Sequence, residues 1–268
     1  MKIPKSDILN NITFFSVASG NRIHLPKKLK IDYDFIYGVG LYLAEGKNDK
    51  KRRYRSSIAN TEPEIVYFSV NWFVKYSDLN KKDLKFYITT PTNCNEKQTR
   101  NSILNKYKIE PTQISIRKNK FAKKICIEVV KDSKPLRLLI DWLKENLVIL
   151  TLSNRNFSLA LIQGLFDGEG HIRNSRKAEL VFEMKNKLIL DTLKYLFFKE
   201  GIEANQYKNT ITIGKQSFTK IKNFIPFRFK ITSKGIEYIN KKEQEAKENI
   251  EILKNNVLFN IKSRWELQ

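Results

Sequence analysis

The feature that most restricts this chain is a pattern that occurs twice. Gly38-Val39-Gly40-Leu41-Tyr42-Leu43-Ala44-Glu45-Gly46 recurs, altered, as Ile162-Gln163-Gly164-Leu165-Phe166-Asp167-Gly168-Glu169-Gly170. In each copy the small residues stand four apart, Gly40 with Ala44 and Gly164 with Gly168, which places them on one face of a helix and lets another backbone come close. A glycine inside a helix costs about 0.5 to 1 kcal/mol relative to alanine, so two helices that both carry one are expected to pack on each other through those faces. Both copies end Glu-Gly. The pattern predicts that Gly46 and Gly170 close their helices in the left-handed conformation, leaving Glu45 and Glu169 in the last turn at the negative end of the helix dipole. A carboxylate is unfavourable there. Two such helices side by side also bring both carboxylates to one end of the seam, where their repulsion requires a cation.

These residues resemble the LAGLIDADG homing endonucleases, whose signature is two such helices packed together, each delivering one acidic residue to a metal-dependent DNA-cleaving centre. Gly40 and Gly164 match the motif's inner glycine, Ala44 and Gly168 its later small residue, and Glu45 and Glu169 its terminal acid, glutamate standing for aspartate. Asp167 keeps the motif's first aspartate, whereas Leu43 departs from it. Two copies in one polypeptide suit a single-chain member with two half-domains. The resemblance implies an α+β fold of duplicated α-β-β-α-β-β-α half-domains with pseudo-two-fold symmetry. These are residues 1–152, including an N-terminal extension, and 153–268, packed through the motif helices, with two antiparallel sheets forming a saddle on DNA. It implies Mg²⁺ held by Glu45 and Glu169 with the motif-end carbonyls of Ala44 and Gly168, Ca²⁺ supporting binding without cleavage, and a monomer that cuts both strands of a long asymmetric site. The same fold without cleavage would serve as a maturase on its own intron RNA, or as a DNA-binding regulator.

Composition points the same way. A formal net charge of +22 over 268 residues implies a polyanionic partner, nucleic acid before an acidic membrane surface. No run of about 18 apolar residues appears and the first residues lack a signal peptide's apolar stretch, so an intracellular protein with no membrane partner is expected. Two cysteines, Cys94 and Cys126, and two histidines, His24 and His171, are too few for a zinc finger or a histidine-metal nuclease.

Along the chain, Asp32 or Asp34 is placed to cap the first motif helix. The basic run Lys47, Lys50, Lys51, Arg52, Arg53 and Arg55 leaves that helix beside Glu45, where phosphates would lie. A helix follows from Glu62-Pro63-Glu64, with Trp72 and Phe73 in the core. Strand signals carry Lys85 and Tyr87, and alternation from Ile114 to Val129 then predicts a hairpin with Ser115, Arg117 and Lys124 on the face away from the helices, tipped by Lys118, Lys120 and Lys123. A helix over 134–147 is expected to bury Leu138, Leu139 and Trp142. After a connector at 153–156 and the second motif helix come strands with His171, Arg173, Arg176 and Lys177, a helix stopping at Gly201, two more strands, and a long helix from Lys234 to about Asn256. Besides the two glutamates, the resemblance suggests Asn60 and Lys185, on the strands following each motif, as catalytic auxiliaries, with Lys230 a further candidate. A rival nuclease reading pairs Asp167 with the acid-x-lysine of Glu183-Met184-Lys185.

Overall fold

The computed structural model describes residues 30–46, 55–77, 80–132, 134–152, 154–174, 178–214 and 227–230. The basic residues Lys47, Lys50, Lys51, Arg52, Arg53, Arg176 and Lys177, the N-terminal extension and the final helix fall outside them. The fold is α+β with two sheets, and it divides into compact units Met1–Gly164 and Leu165–Gln268.

The first unit begins with the motif helix α1 (Tyr33–Glu45), whose start is set by Asp32: its carboxylate accepts from Phe35 N at 3.0 Å. The Tyr76 hydroxyl and Lys75 Nζ also bond that carboxylate. Burial pushes the Asp32 carboxyl up, but these three donors outweigh it and hold the group below its ordinary range. Next come β1 (Arg55–Asn60) and α2 (Pro63–Ser77), the latter seating Trp72 over Gly38 of α1. The Trp72 indole donates to Phe35 O at 3.2 Å, and a Cβ on Gly38 would lie 2.0 Å from the ring, so Gly38 is required by the indole's close approach. After β2 (Lys85–Thr90) comes α3 (Glu96–Tyr107), then β3 (Ile114–Lys118), β4 (Cys126–Asp132) and α4 (Lys134–Leu152).

This order departs from the expected repeat. The polar α3, which buries only Thr99, Ile103 and Tyr107, has little apolar periodicity to announce it, and it turns β2-α3-β3 into a crossover. Consequently β2 and β3 run parallel, and the sheet order is β1-β4-β2-β3. The expected β3/β4 hairpin is therefore absent: β2 lies between them, antiparallel to β4, and residues 119–125 arch over its end. The helices pack on the face carrying Ile58, Phe86, Ile88, Ile127 and Val129. On α4 the buried stripe is Leu136, Leu139, Ile140 and Leu143; Leu138 is exposed, one position off the stripe, and Trp142 only half-buried.

The second motif helix α5 (Arg155–Glu169) starts two residues earlier than its apolar pattern suggests, because Asn154 turns the chain: its side chain accepts from Asn156 N and its carbonyl from Phe157 N and Ser158 N. The first unit includes α5 through Gly164, which sits directly on α1. A Cβ there would lie 2.1 Å from Tyr37 O, 2.7 Å from Leu41 N and 3.0 Å from Gly40 Cα. The predicted glycine seam is thus a backbone-on-backbone contact.

The second unit continues with β5 (Gly170–Asn174), β6 (Ala178–Glu183), α6 (Lys187–Lys199), β7 (Asn205–Tyr207) and β8 (Thr210–Gly214), matching the expected order as far as β8. Its sheet, β5-β6-β8-β7, is antiparallel throughout. In the core Phe166 makes ring contact with Phe182, Phe197 and Phe227, and Ile211 and Ile213 of β8 are fully buried. Gly201 ends α6 with φ of +69°, as its position predicted.

Candidate active site

The ends of the two motif helices differ from expectation in how they close. Gly46 has φ −69° and ψ 128°, and Gly170 is the first residue of β5; neither is left-handed. Glycine is needed for space instead. A Cβ on Gly46 would stand 2.1 Å from Tyr42 O, and one on Gly170 would stand 2.5 Å from the Phe166 ring and 2.6 Å from Phe166 O. At the second junction α5 runs directly into β5, and at the first Gly46 itself bridges Ile58 of β1; at both, the backbone lies so close over the last helical turn that no side chain fits. Each glutamate is thereby fixed at the junction, in a last turn with no basic residue.

At the first junction Glu45 is half-buried and its Oε1 accepts from Asn60 Nδ2 at 2.9 Å. Asn60 is itself 5% exposed, and its Oδ1 accepts from Glu62 N at 2.9 Å, which fixes the amide so that the NH₂ group faces the carboxylate. Strand register puts Asn60 there: Gly46 bridges Ile58 of β1, and Asn60 is the next residue on the same face. One helical turn back, Tyr42 is buried under Gly46 and its hydroxyl accepts from Arg137 Nη1 at 3.1 Å; Arg137 in turn bonds Asp141 at 3.0 Å. Lys144 shares Asp141 at 3.6 Å, and burial together with Arg137 lowers its pKa.

At the second junction the same register argument gives a different answer for the auxiliary residue. Gly170 pairs with Phe182, so the position equivalent to Asn60 is Met184, not Lys185. Spacing carried that signal, since Met184 follows Glu169 by as many residues as Asn60 follows Glu45. Lys185 is exposed in the bend before Asn186, the N-cap of α6. The side chain that does reach the junction is Lys230, 8% exposed, whose Nζ donates to the carbonyl of Gly168, one of the carbonyls expected to face the metal. Glu169 is exposed.

Asp167 explains how Lys230 is held. It is fully buried and accepts from three successive backbone amides, Arg228 N at 3.1 and 3.2 Å, Phe229 N at 2.9 Å and Lys230 N at 3.2 Å. Such a carboxylate is a cap for the 227–230 turn, with both oxygens committed to it. The rival reading of Asp167 as the first acid of a restriction-type centre loses its metal ligand on this geometry.

The basic candidates sort by strand face. Arg55, Lys85, Tyr87, Ser115 and Arg117 share one face of the first sheet, opposite the helices. Its β1/β4 part is covered, with Ser57, Val130 and Glu128 buried, while Lys85, Ser115 and Arg117 are exposed. Arg55 is less available than its charge suggests: it bonds Asp132 at 3.4 Å and the Tyr87 hydroxyl at 3.3 Å. Lys118, Lys120, Lys123 and Lys124 are exposed at or beyond the end of β3. In the second sheet His171 and Arg173 share a face, and Arg173 reaches Glu179 at 3.7 Å and Glu183 at 3.9 Å. Among the described residues no group of three or more His, Cys, Asp or Glu is placed to hold a metal, and no helix is long and apolar enough to cross a membrane.

Comparison with known proteins adds a family to this geometry. The chain is 26% identical over 246 residues to the DNA-directed RNA polymerase subunit Rpo1C of Methanocaldococcus jannaschii, a stretch covering 92% of this chain and 24% of that protein, so it spans about a quarter of the relative's length. Similar solved structures include the homing endonuclease I-DmoI in complex with DNA and Ca, at 13% identity and TM-score 0.46 over 77% of this chain and 97% of that one. Another is full-length DUF199/WhiA from Thermatoga maritima, also at 13% identity and TM-score 0.46, over 87% of this chain and 69% of that one. The family described as LAGLIDADG-like domain matches residues 156–250, a span that opens at the start of α5 and takes in the second motif with Asp167, Glu169 and Lys230. Over residues 156–250, then, this chain is similar to the LAGLIDADG-like domain family.

Proposed function

We propose that this protein is a site-specific DNA endonuclease that hydrolyses phosphodiester bonds on both strands of a duplex, acting as a monomer, with Glu45 and Glu169 as the acids of its chemistry. The observation that carries this reading is the Glu45–Asn60 pair: a carboxylate at the negative end of a helix, oriented by an amide that does not neutralise it. Hard oxygen donors at a helix terminus fit a small divalent cation such as Mg²⁺, and Glu45 and Glu169 are the residues that would hold it. Such an ion supplies Lewis-acid stabilisation of charge on the phosphate and a more acidic bound water.

The chain's own residues have separate parts. Asn60 fixes the rotamer of Glu45 and donates a hydrogen bond to it. Lys230 places a positive charge at the end of α5, on the Gly168 carbonyl, where it offsets the helix terminus and the phosphate charge. The exposed Lys85, Arg117 and the lysines beyond β3 attract the DNA backbone, so affinity falls steeply with salt.

Glu45→Gln and Glu169→Gln keep size and hydrogen bonding but remove charge. The assay follows a supercoiled plasmid carrying the rejoined DNA flanks of the protein's own gene to nicked and linear forms in Mg²⁺, with binding measured in Ca²⁺. Each variant is expected to bind as the wild type does and to lose double-strand cleavage. Full cutting by both variants would remove these residues from the mechanism, and a wild type that binds without cutting would assign the chain to the regulator or maturase class.

A further inference from the structure

Phe121 is the most exposed large apolar side chain among the described residues, at 79%. It does not sit on a loose loop. Asn119 Oδ1 accepts from Phe121 N at 2.9 Å, Asn119 O accepts from Ala122 N at 3.1 Å, and Asn119 N donates to Thr90 O at 2.9 Å, tying the turn to the end of β2. These bonds hold the ring out into solvent on a turn whose ordering entropy is already spent, which is how a contact residue gains affinity. Around it, residues 117–124 carry five cations, Arg117, Lys118, Lys120, Lys123 and Lys124, and no acid. Lys120 Nζ lies 5.1 Å from the Phe121 ring centroid.

An apolar ring that projects from a cluster of ammonium groups suits one kind of surface: phosphates for the cations and a stack of π-faces for the ring. We propose that Phe121 is a wedge that enters between neighbouring base pairs of a DNA duplex, while the lysines on either side hold the flanking phosphates. The inference rests on the reading that this chain binds duplex DNA, and goes beyond it in naming a residue that unstacks and bends the duplex. Unstacking a step costs a few kcal/mol, least where pairing is already weak. A wedge therefore prefers a duplex with a pre-weakened step; phosphate contacts alone do not.

The test uses the full chain and two labelled duplexes of about 30 base pairs in roughly 50 mM salt, identical except that one carries a single central mismatch. Wild-type protein is expected to bind the mismatched duplex about tenfold more tightly. Phe121→Ala should lose that preference and bind the mismatched duplex about tenfold more weakly, with an unchanged melting temperature since the ring is exposed. Phe121→Trp should keep the preference, and Lys120→Ala should weaken both duplexes equally. Equal binding of the two duplexes by the wild type, or an undiminished preference in Phe121→Ala, overturns the wedge while leaving DNA binding intact. A wild type that binds neither duplex overturns the DNA reading itself.

Discussion

Replacing Gly164 with alanine tests the contact on which the motif helices depend. In an isolated helix the change should stabilise, since alanine is favoured over glycine by about 1 kcal/mol. Here the added Cβ would meet three backbone atoms of α1, Tyr37 O at 2.1 Å, Leu41 N at 2.7 Å and Gly40 Cα at 3.0 Å. Ordinary carbon–oxygen contact is more than about 3 Å, so α1 and α5 must part by roughly 1 Å, and no rotamer change relieves a clash with backbone. Overpacking of this kind costs about 1 to 3 kcal/mol or more. A clash with backbone at 2.1 Å belongs at the upper end of that range, so against the propensity gain a net loss of about 2 kcal/mol is expected, a fall in Tm of about 4 °C for a chain this long. Two controls separate the causes. Gly214→Ala, with nothing within 4 Å of its Cβ and no positive φ, should be near neutral; Gly201→Ala has the space but sits at φ of +69°, and should cost about 1 kcal/mol through strain alone. Thermal unfolding of the three variants measures all of this. A Gly164→Ala protein as stable as the wild type would refute the backbone contact.

The repeated motif was legible because its residues are constrained by close approach, and close approach leaves small residues at helical spacing in the sequence. The reason for the terminal glycines was not legible: Glu-Gly at a helix end suggests a left-handed cap, and only the path of the chain shows that Tyr42 O and the Phe166 ring exclude a side chain. Strand faces follow from alternation, which is why Ser115 and Arg117 are readable from the sequence as sharing the face away from the helices; that Lys85 and Tyr87 join them depends on the parallel pairing of β2 with β3. Strand order does not follow from alternation, because α3 has mostly polar residues and its presence converts an apparent hairpin into a crossover. Asn60 stands out by its place on the strand after the first motif, and counting the same distance from Glu169 leads to Met184; Lys185 stands out by charge, which is a poor guide in a chain with 50 Lys and Arg. The buried role of Asp167 depends on residues 228–230, some sixty positions away, and no local pattern records it.

Three further outcomes are expected. Asp32→Ala should cost about 1 to 2 kcal/mol at neutral pH, as a lost cap does; because the Asp32 carboxyl is held below its ordinary range, its contribution is complete above the unfolded carboxyl's pKa near 3.9 and lost as pH falls through the folded value, so the two melting curves should converge in acid. Asn60→Asp sets a second carboxylate against Glu45 Oε1, now 2.9 Å from the amide nitrogen, and should move the acid limb of the cleavage profile to higher pH, since one proton must be shared; an unmoved profile would show that Asn60 is not beside the reacting group. Asp167→Asn replaces one of two fully committed oxygens by a donor facing backbone N–H groups that also donate. Leaving a buried donor unmet costs about 1 to 3 kcal/mol. The loss is regional, because Asp167 binds one turn: hydrogen exchange should quicken at Arg228, Phe229 and Lys230, while the amides of α2, in the other unit, keep their protection. With the turn released, Lys230 is no longer directed at Gly168 O, so cleavage should fall further than stability alone explains, measured at a temperature where the variant remains folded. Unchanged exchange at these three amides would show that the carboxylate does not anchor the turn, and normal cleavage alongside quickened exchange would separate Lys230 from the chemistry.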